Sequence, residues 1–198
     1  LFRALGDGTR AREYYEQSLT VSQRLAEQAP ENADYARDLS VSYERMGDLF
    51  RALGDGTRAR EYYEQSLTVR QRLAEQAPEN ADYARDLSVS YNRLGDLSRD
   101  LGESAEARKY YELDLEIAQQ LAQRAPDNAD WQRDVAVSHN KLLQFFAAQQ
   151  DFEAAIPHLL EAWQTLEQLA ARNALPQHTD AAWLEQLRKL VAELKVES

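Results

Sequence analysis

Residues 29–56 read APENADYARDLSVSYERMGDLFRALGDG, and residues 77–104 read APENADYARDLSVSYNRLGDLSRDLGES. Pro30 and Pro78 cannot sit inside a regular helix, and Asn32 and Asn80, two residues on, are good caps for a new one. Gly54-Asp55-Gly56 and Gly102-Glu103-Ser104 close each stretch with a second breaker. Between the breakers Tyr35, Leu39, Tyr43, Met46, Phe50 and Leu53 step by three or four residues, which places them on one helical stripe. The stretch is predicted to be a helix of about 21 residues, about 30 Å long at the α-helical rise.

Extended in both directions, the pattern becomes a repeat of 48 residues. Residues 1–48 differ from 49–96 only at Ser22 against Arg70, Glu44 against Asn92 and Met46 against Leu94. Residues 97–144 keep the frame with more divergence, and 145–192 continue it loosely. Each unit contributes a second helix. In it Ala11, Tyr15, Leu19 and Ser22 form one stripe, with Tyr14, Ser18, Val21 and Leu25 beside it. Two adjacent stripes let such a helix touch its hairpin partner and the next hairpin, as in a solenoid.

These residues resemble the tetratricopeptide repeat family. Tyr43, Met46, Gly47, Phe50 and Gly54 match the family's first-helix pattern, and Ala59, Tyr63, Ser66 and Leu67 match its second. Tyr91, Leu94, Gly95, Gly102, Ala107, Tyr111 and Leu115 repeat the match. The resemblance implies an all-α fold, a right-handed superhelical solenoid of antiparallel helical hairpins. About eight full helices plus a truncated first helix are expected. The unit exceeds the usual family length of about 34 residues by about 14, which lengthens each helix by about two turns.

The expected organisation is tandem repeats over 1–178 (units 1–48, 49–96, 97–144 and 145–178), followed by a capping helix over 179–198. Gly47 and Gly95 inside helices point to close helix approach. Asp114 stands where a small residue is usual and is expected to be exposed, since a buried carboxylate needs a partner. The chain opens Leu1-Phe2-Arg3, matching Leu49-Phe50-Arg51, so its natural start is expected further upstream; its C-terminus is expected to be genuine.

Composition excludes several chemistries. With no Cys there is no disulfide, zinc-thiolate site or cysteine nucleophile, and a reducing cytoplasm is the simplest setting. The net charge is −11, and no unit has more basic than acidic residues, which argues against nucleic-acid binding. No apolar run is long enough to span a membrane, and the mixed polar faces do not suit a membrane surface. His139, His158 and His178 fall in different contexts, and no metal, cofactor or catalytic residue is expected. His139 takes the place of Tyr43 and Tyr91, as a wall residue. Gly54-Asp55-Gly56-Thr57 lacks the lysine of a phosphate loop and follows a helix, so it reads as a turn.

The expected function is a protein-interaction scaffold that binds a peptide or partner domain. The alternative is a regulatory arm of a larger signalling ATPase or protease. In the resembling family partners bind the concave surface lined by first helices. That places a groove on Glu44, Arg45, Asp48 and Arg51, then Asn92, Arg93, Asp96 and Arg99, then Asn140, Lys141 and Gln144. Arg45, Arg93 and Lys141 form a column of cations suited to an acidic peptide, with intrahelical pairing to Asp48 and Asp96 as the competing use. Tyr14, Tyr15 and Leu19 are expected to lack a cover, which suggests self-association through the N-terminal end.

Overall fold

The Asn that follows each Pro starts a helix by accepting from the free backbone N–H groups of the first turn. Asn32 Oδ1 accepts from Asp34 N and Tyr35 N at 3.0 and 3.2 Å. Asn80 repeats both bonds, and Asn128 accepts from Trp131 N. At the other breaker Asp55 and Asp151 cap in the same way, accepting from Arg58 N and Ala154 N.

In a computed structural model, which describes residues 8–177 and 179–196, these signals delimit eight helices: α1 (Gly8–Gln28), α2 (Ala33–Ala52), α3 (Gly56–Gln76), α4 (Ala81–Asp100), α5 (Ser104–Arg124), α6 (Ala129–Ala148), α7 (Phe152–Ala171) and α8 (Asp180–Val196). The described residues contain no strand. The turn before α3 is closed by a bond from Asp55 N to Phe50 O, with Gly54 at φ +78°. Gly102 repeats that conformation, but Gln150 also adopts it, at φ 61°. A side chain costs about 1 kcal/mol in this left-handed region, so the third turn keeps its shape at some expense.

The chain divides into two compact units, residues 1–107 and 108–198. In the first, α1 packs on α2, α2 on α3 and α3 on α4. Its core holds Met46, Leu49 and Phe50 of α2 against Ala59, Tyr63 and Leu73 of α3. The stripe expected for α2 is only partly buried: Tyr35, Leu39 and Tyr43 are half-buried, and Leu53, which caps the helix, is 57% exposed. Ala36, Ser40, Ser42 and Gly47 are buried instead, because α2 has neighbours on more than one side and small residues let them approach.

In the second unit, Leu159, Leu166 and Leu169 of α7 meet Ala136 of α6 and Leu184, Leu187 and Val191 of α8. Arg133 of α6 reaches the buried Asp180 at the start of α8, with Nε 2.9 Å from each carboxylate oxygen. Asp114, expected on the surface, is instead buried, with 3% of its area accessible. Its Oδ2 accepts from Ser138 Oγ at 2.8 Å, which supplies the partner a buried carboxylate requires. The opening Leu1-Phe2-Arg3 and His178 lie outside the described residues.

Candidate protein-binding groove

The predicted groove residues of α2 and α4 are largely consumed by one another. Arg93 reaches back to Glu44 at 3.4 Å and Asp48 at 3.7 Å. Arg51 reaches forward to Asp100 at 2.6 Å and Asp96 at 3.6 Å, and Arg99 also pairs with Asp96. Tyr63 of α3 closes the corner by donating its hydroxyl to Asp48 at 2.7 Å; burial, then the Asp48 carboxylate, push its pKa well above the usual phenol value. Leu101 packs over Gly56, where a Cβ would come within 2.7 Å of its methyl. Three helices, α2, α3 and α4, thus meet at a corner filled by a lattice of ion pairs.

The lattice rests on a buried core of its own. Arg70 is 3% exposed, with its Nη2 2.7 Å from Glu44 Oε2. Its Nε donates to Ser40 Oγ at 3.2 Å, and its Nη1 to Ser90 Oγ at 3.0 Å and Asp86 O at 3.1 Å. Two of the three positions that distinguish the first two repeats are therefore partners. In the first repeat the place of Arg70 is taken by Ser22, whose hydroxyl lies 2.8 Å from Ser42 Oγ.

The corresponding corner of the second unit is open. In the 48-residue frame Leu143 replaces Gly47, Gln144 replaces Asp48 and Ala147 replaces Arg51, while Phe152, Ile156 and Leu159 replace Gly56, Arg60 and Tyr63. With the charges of Asp48, Arg51 and Arg60 and the ring of Tyr63 gone, and with Leu and Phe in place of the two glycines, an apolar groove of about 700 Å³ lies among α6, α7 and α8. From α8 it is walled by Trp183, Leu187, Leu190 and Leu194, which recur over three turns of one face. Asn140, Gln144, Gln186 and Glu193 provide its polar groups. Phe152 and Leu190, on its rim, are 61% and 45% exposed.

Of the residues expected to bind a partner, Asn140 and Gln144 line this groove. Glu44, Asp48, Arg51, Arg93, Asp96 and Arg99 serve the ion-pair lattice. Arg45 is exposed and has no ion-pair partner among the described residues. Arg93 takes its acids from the preceding repeat, Glu44 and Asp48, rather than forming the anticipated i,i+3 pair with Asp96. Sequence reasoning missed Phe152, Ile156, Trp183 and Leu190. Only Ile156, at the place of Arg60, carried a signal in the loss of a charge; Phe152 stands at the place of Gly56, and Trp183 and Leu190 at the places of Leu87 and Leu94.

The structure also brings together two histidines that sequence placed apart. His139 Nδ1 lies 2.9 Å from His158 Nδ1, and the His158 ring stacks on Phe146 at 5.7 Å. One nitrogen must donate and the other accept, so the accepting ring is neutral and the two rings cannot both be protonated. Burial, then the neighbouring His158, lowers the His139 pKa to about 4, and burial also lowers that of His158. An unfolded chain takes up these protons near the ordinary value of 6.5, before the fold can. The contribution to stability is full above that pH and is lost as pH falls toward about 4. Replacing His139 by Tyr, the residue at the matching place in the first two repeats, should flatten the loss between those limits. Thermal melts across that range check this.

Among the described residues no group of three or more His, Cys, Asp or Glu could hold a metal ion, and no helix is long and apolar enough to cross a membrane. Residues 38–99, from α2 through α4, match the family model for the tetratricopeptide repeat, and residues 90–196 match that of a protein of unknown function, DUF2753. The chain belongs to the DUF2753 family, and its residues 38–99 carry tetratricopeptide repeats. As a tetratricopeptide repeat protein it is similar to a crystal structure of BtubC (BKLC) from P. vanneervenii, with a TM-score of 0.63 and 25% identity over 82% of this chain and 58% of that one. The chain thus spans less than two thirds of that relative. TTC0263, a thermophilic tetratricopeptide repeat protein in Thermus thermophilus, is 18% identical over 96% of each chain, with a TM-score of 0.44. MamA MSR-1 C2 is 19% identical over 83% of this chain and 76% of that one, also at 0.44. No curated protein matches the sequence.

Proposed function

We propose that this tetratricopeptide repeat protein is a protein-interaction scaffold whose second unit takes an apolar segment of a partner into the groove among α6, α7 and α8. Tetratricopeptide repeat proteins bind protein partners, which supports the general role. The specific observation is the internal contrast: a corner filled by Tyr63, Arg93 and Arg51 in the first unit is emptied and lined with Leu, Ile, Phe and Trp in the second. The groove has a continuous apolar floor with a few polar groups, the composition of a recognition site rather than of a solvated face. Its length along α8 fits an amphipathic segment with apolar side chains repeating every three or four residues.

Selection of binders from a displayed library of random peptides tests this reading. Binders should carry two or more large apolar anchors. Leu190→Glu together with Ile156→Glu should weaken them by about tenfold or more, as loss of a central anchor pocket does. Arg45→Glu should leave them unchanged. Binders insensitive to the groove variants but abolished by Arg45→Glu would restore the acidic-peptide reading and overturn this one.

A further inference from the structure

Independently of that groove, the histidine pair of the second unit stands where the other repeats have two tyrosines. In the 48-residue frame His139 takes the place of Tyr43 and Tyr91, and His158 the place of Tyr62 and Tyr110. Both partners of one contact have changed together. The Tyr43 and Tyr62 rings lie 6.4 Å apart at a tilt of 35°, and Tyr62 stacks on Phe50. His158 keeps that stacking, on Phe146, but His139 now aims a nitrogen at it. The ring centroids are 5.2 Å apart and the two Nδ1 atoms 2.9 Å. The difference is no more than the two ring radii, so both nitrogens sit on the line that joins the rings. His139 is buried and His158 half-buried.

We infer that His139 and His158 bind a monovalent copper ion, Cu(I), in linear two-coordinate geometry between their Nδ1 atoms. Imidazole suits copper, and a filled d shell lets the monovalent ion accept two ligands in a straight line. Ligand number decides among the metals. Zinc takes about four ligands and divalent copper a tetragonal set, whereas among the described residues no group of three or more His, Cys, Asp or Glu could hold an ion. At a metal–imidazole distance of about 2.0 Å the two nitrogens stand about 4 Å apart, so the rings must separate by about 1 Å along their common line. Pro157, directly before His158, has no N–H for the Glu153 carbonyl, so α7 gives at this point more readily than a regular helix. Charge favours the same ion. Burial disfavours the protonated form of both rings, which keeps them neutral and able to ligate. The ring that donates in the hydrogen bond shifts its proton from Nδ1 to Nε2, which frees the second lone pair without releasing a proton. The loaded site then carries one positive charge. Glu112 of α5 and Glu161 of α7 offset it, while Arg108 of α5 opposes them but is itself bonded to Glu112 at 2.7 Å. A divalent ion with no anionic ligand would cost more to bury.

The test titrates Cu(I), kept reduced under argon, into the full chain in competition with a colorimetric Cu(I) chelator. The chain should withdraw a stoichiometric amount of copper, and X-ray absorption of the loaded chain should show nitrogen ligands in a linear pair. His139→Tyr with His158→Tyr restores the ring pair of the first unit, and far-UV circular dichroism checks that the variant is folded. It should bind at least about a hundredfold more weakly, since losing even a group that supports a metal ligand costs about 10–100-fold. His178→Ala removes the remaining histidine of the chain and should leave binding unchanged. Undiminished binding by the double tyrosine variant, loss of binding in His178→Ala, or failure to withdraw copper from the chelator would overturn the inference. So would an absorption spectrum of the natural chain with three or four ligands, a result that does not depend on any variant folding.

Discussion

Glu44→Asn will destabilise the first unit by about 3 kcal/mol, and adding Arg70→Ser will return a large part of that loss. The first change leaves a guanidinium that is 3% exposed with three neutral acceptors and no carboxylate at its Nη2. Such a charge cannot shed its proton, so the fold bears the full cost of an unpaired buried ion. Arg70→Ser alone removes packing and leaves Glu44 with Arg93 at 3.4 Å as its remaining cation. Both changes together install the arrangement of the first repeat, where the hydroxyls of Ser22 and Ser42 lie 2.8 Å apart. Urea unfolding of the four chains in the cycle measures the coupling, which should be about 2 kcal/mol or more. Additive effects would show that the pair is an incidental contact.

Gly47→Ala should cost about 3 kcal/mol despite the better helix propensity of Ala. A Cβ at Gly47 would lie 2.4 Å from Cδ1 of Tyr63, a ring that is 1% exposed and anchored through its hydroxyl to Asp48. The ring cannot retreat without breaking that bond and disturbing the core around Met46. The second unit has solved the same contact in the opposite sense: Leu143 stands at the glycine place and Leu159 at the tyrosine place. Gly47→Leu should therefore be far worse alone than with Tyr63→Leu. Far-UV melting of the single and double variants reads the difference.

Much of the fold was legible. The Pro-x-Asn and Gly-Asp breakers act through backbone geometry and first-turn hydrogen bonds, both local, so the helix ends followed from the chain itself. The glycine at 47 was also readable as a point of close approach, although not the ring it faces. The candidate site was less legible. Glu44, Arg93 and Arg51 look like an exposed charged face when a single helix is drawn. Their partners lie 49 residues away in Arg93–Glu44 and Arg51–Asp100, and that offset exists only after α2 and α4 are laid side by side. Asp114 failed for the same reason, since its partner Ser138 comes from the next helix.

Repeats, caps and breakers are properties of short stretches of chain, so the number of helices, their ends, their pairing into hairpins and the family could all be read from the order of residues. Packing settled which charges are spent and which surfaces stay open. It turned Arg70 and Glu44 from two isolated differences between repeats into one buried pair, and it turned the loss of the Asp48, Arg51 and Tyr63 equivalents into a groove. The physical reason is that the energy of a charge or an apolar side chain depends on what removes water from it, and here the residues that do so sit on a different helix.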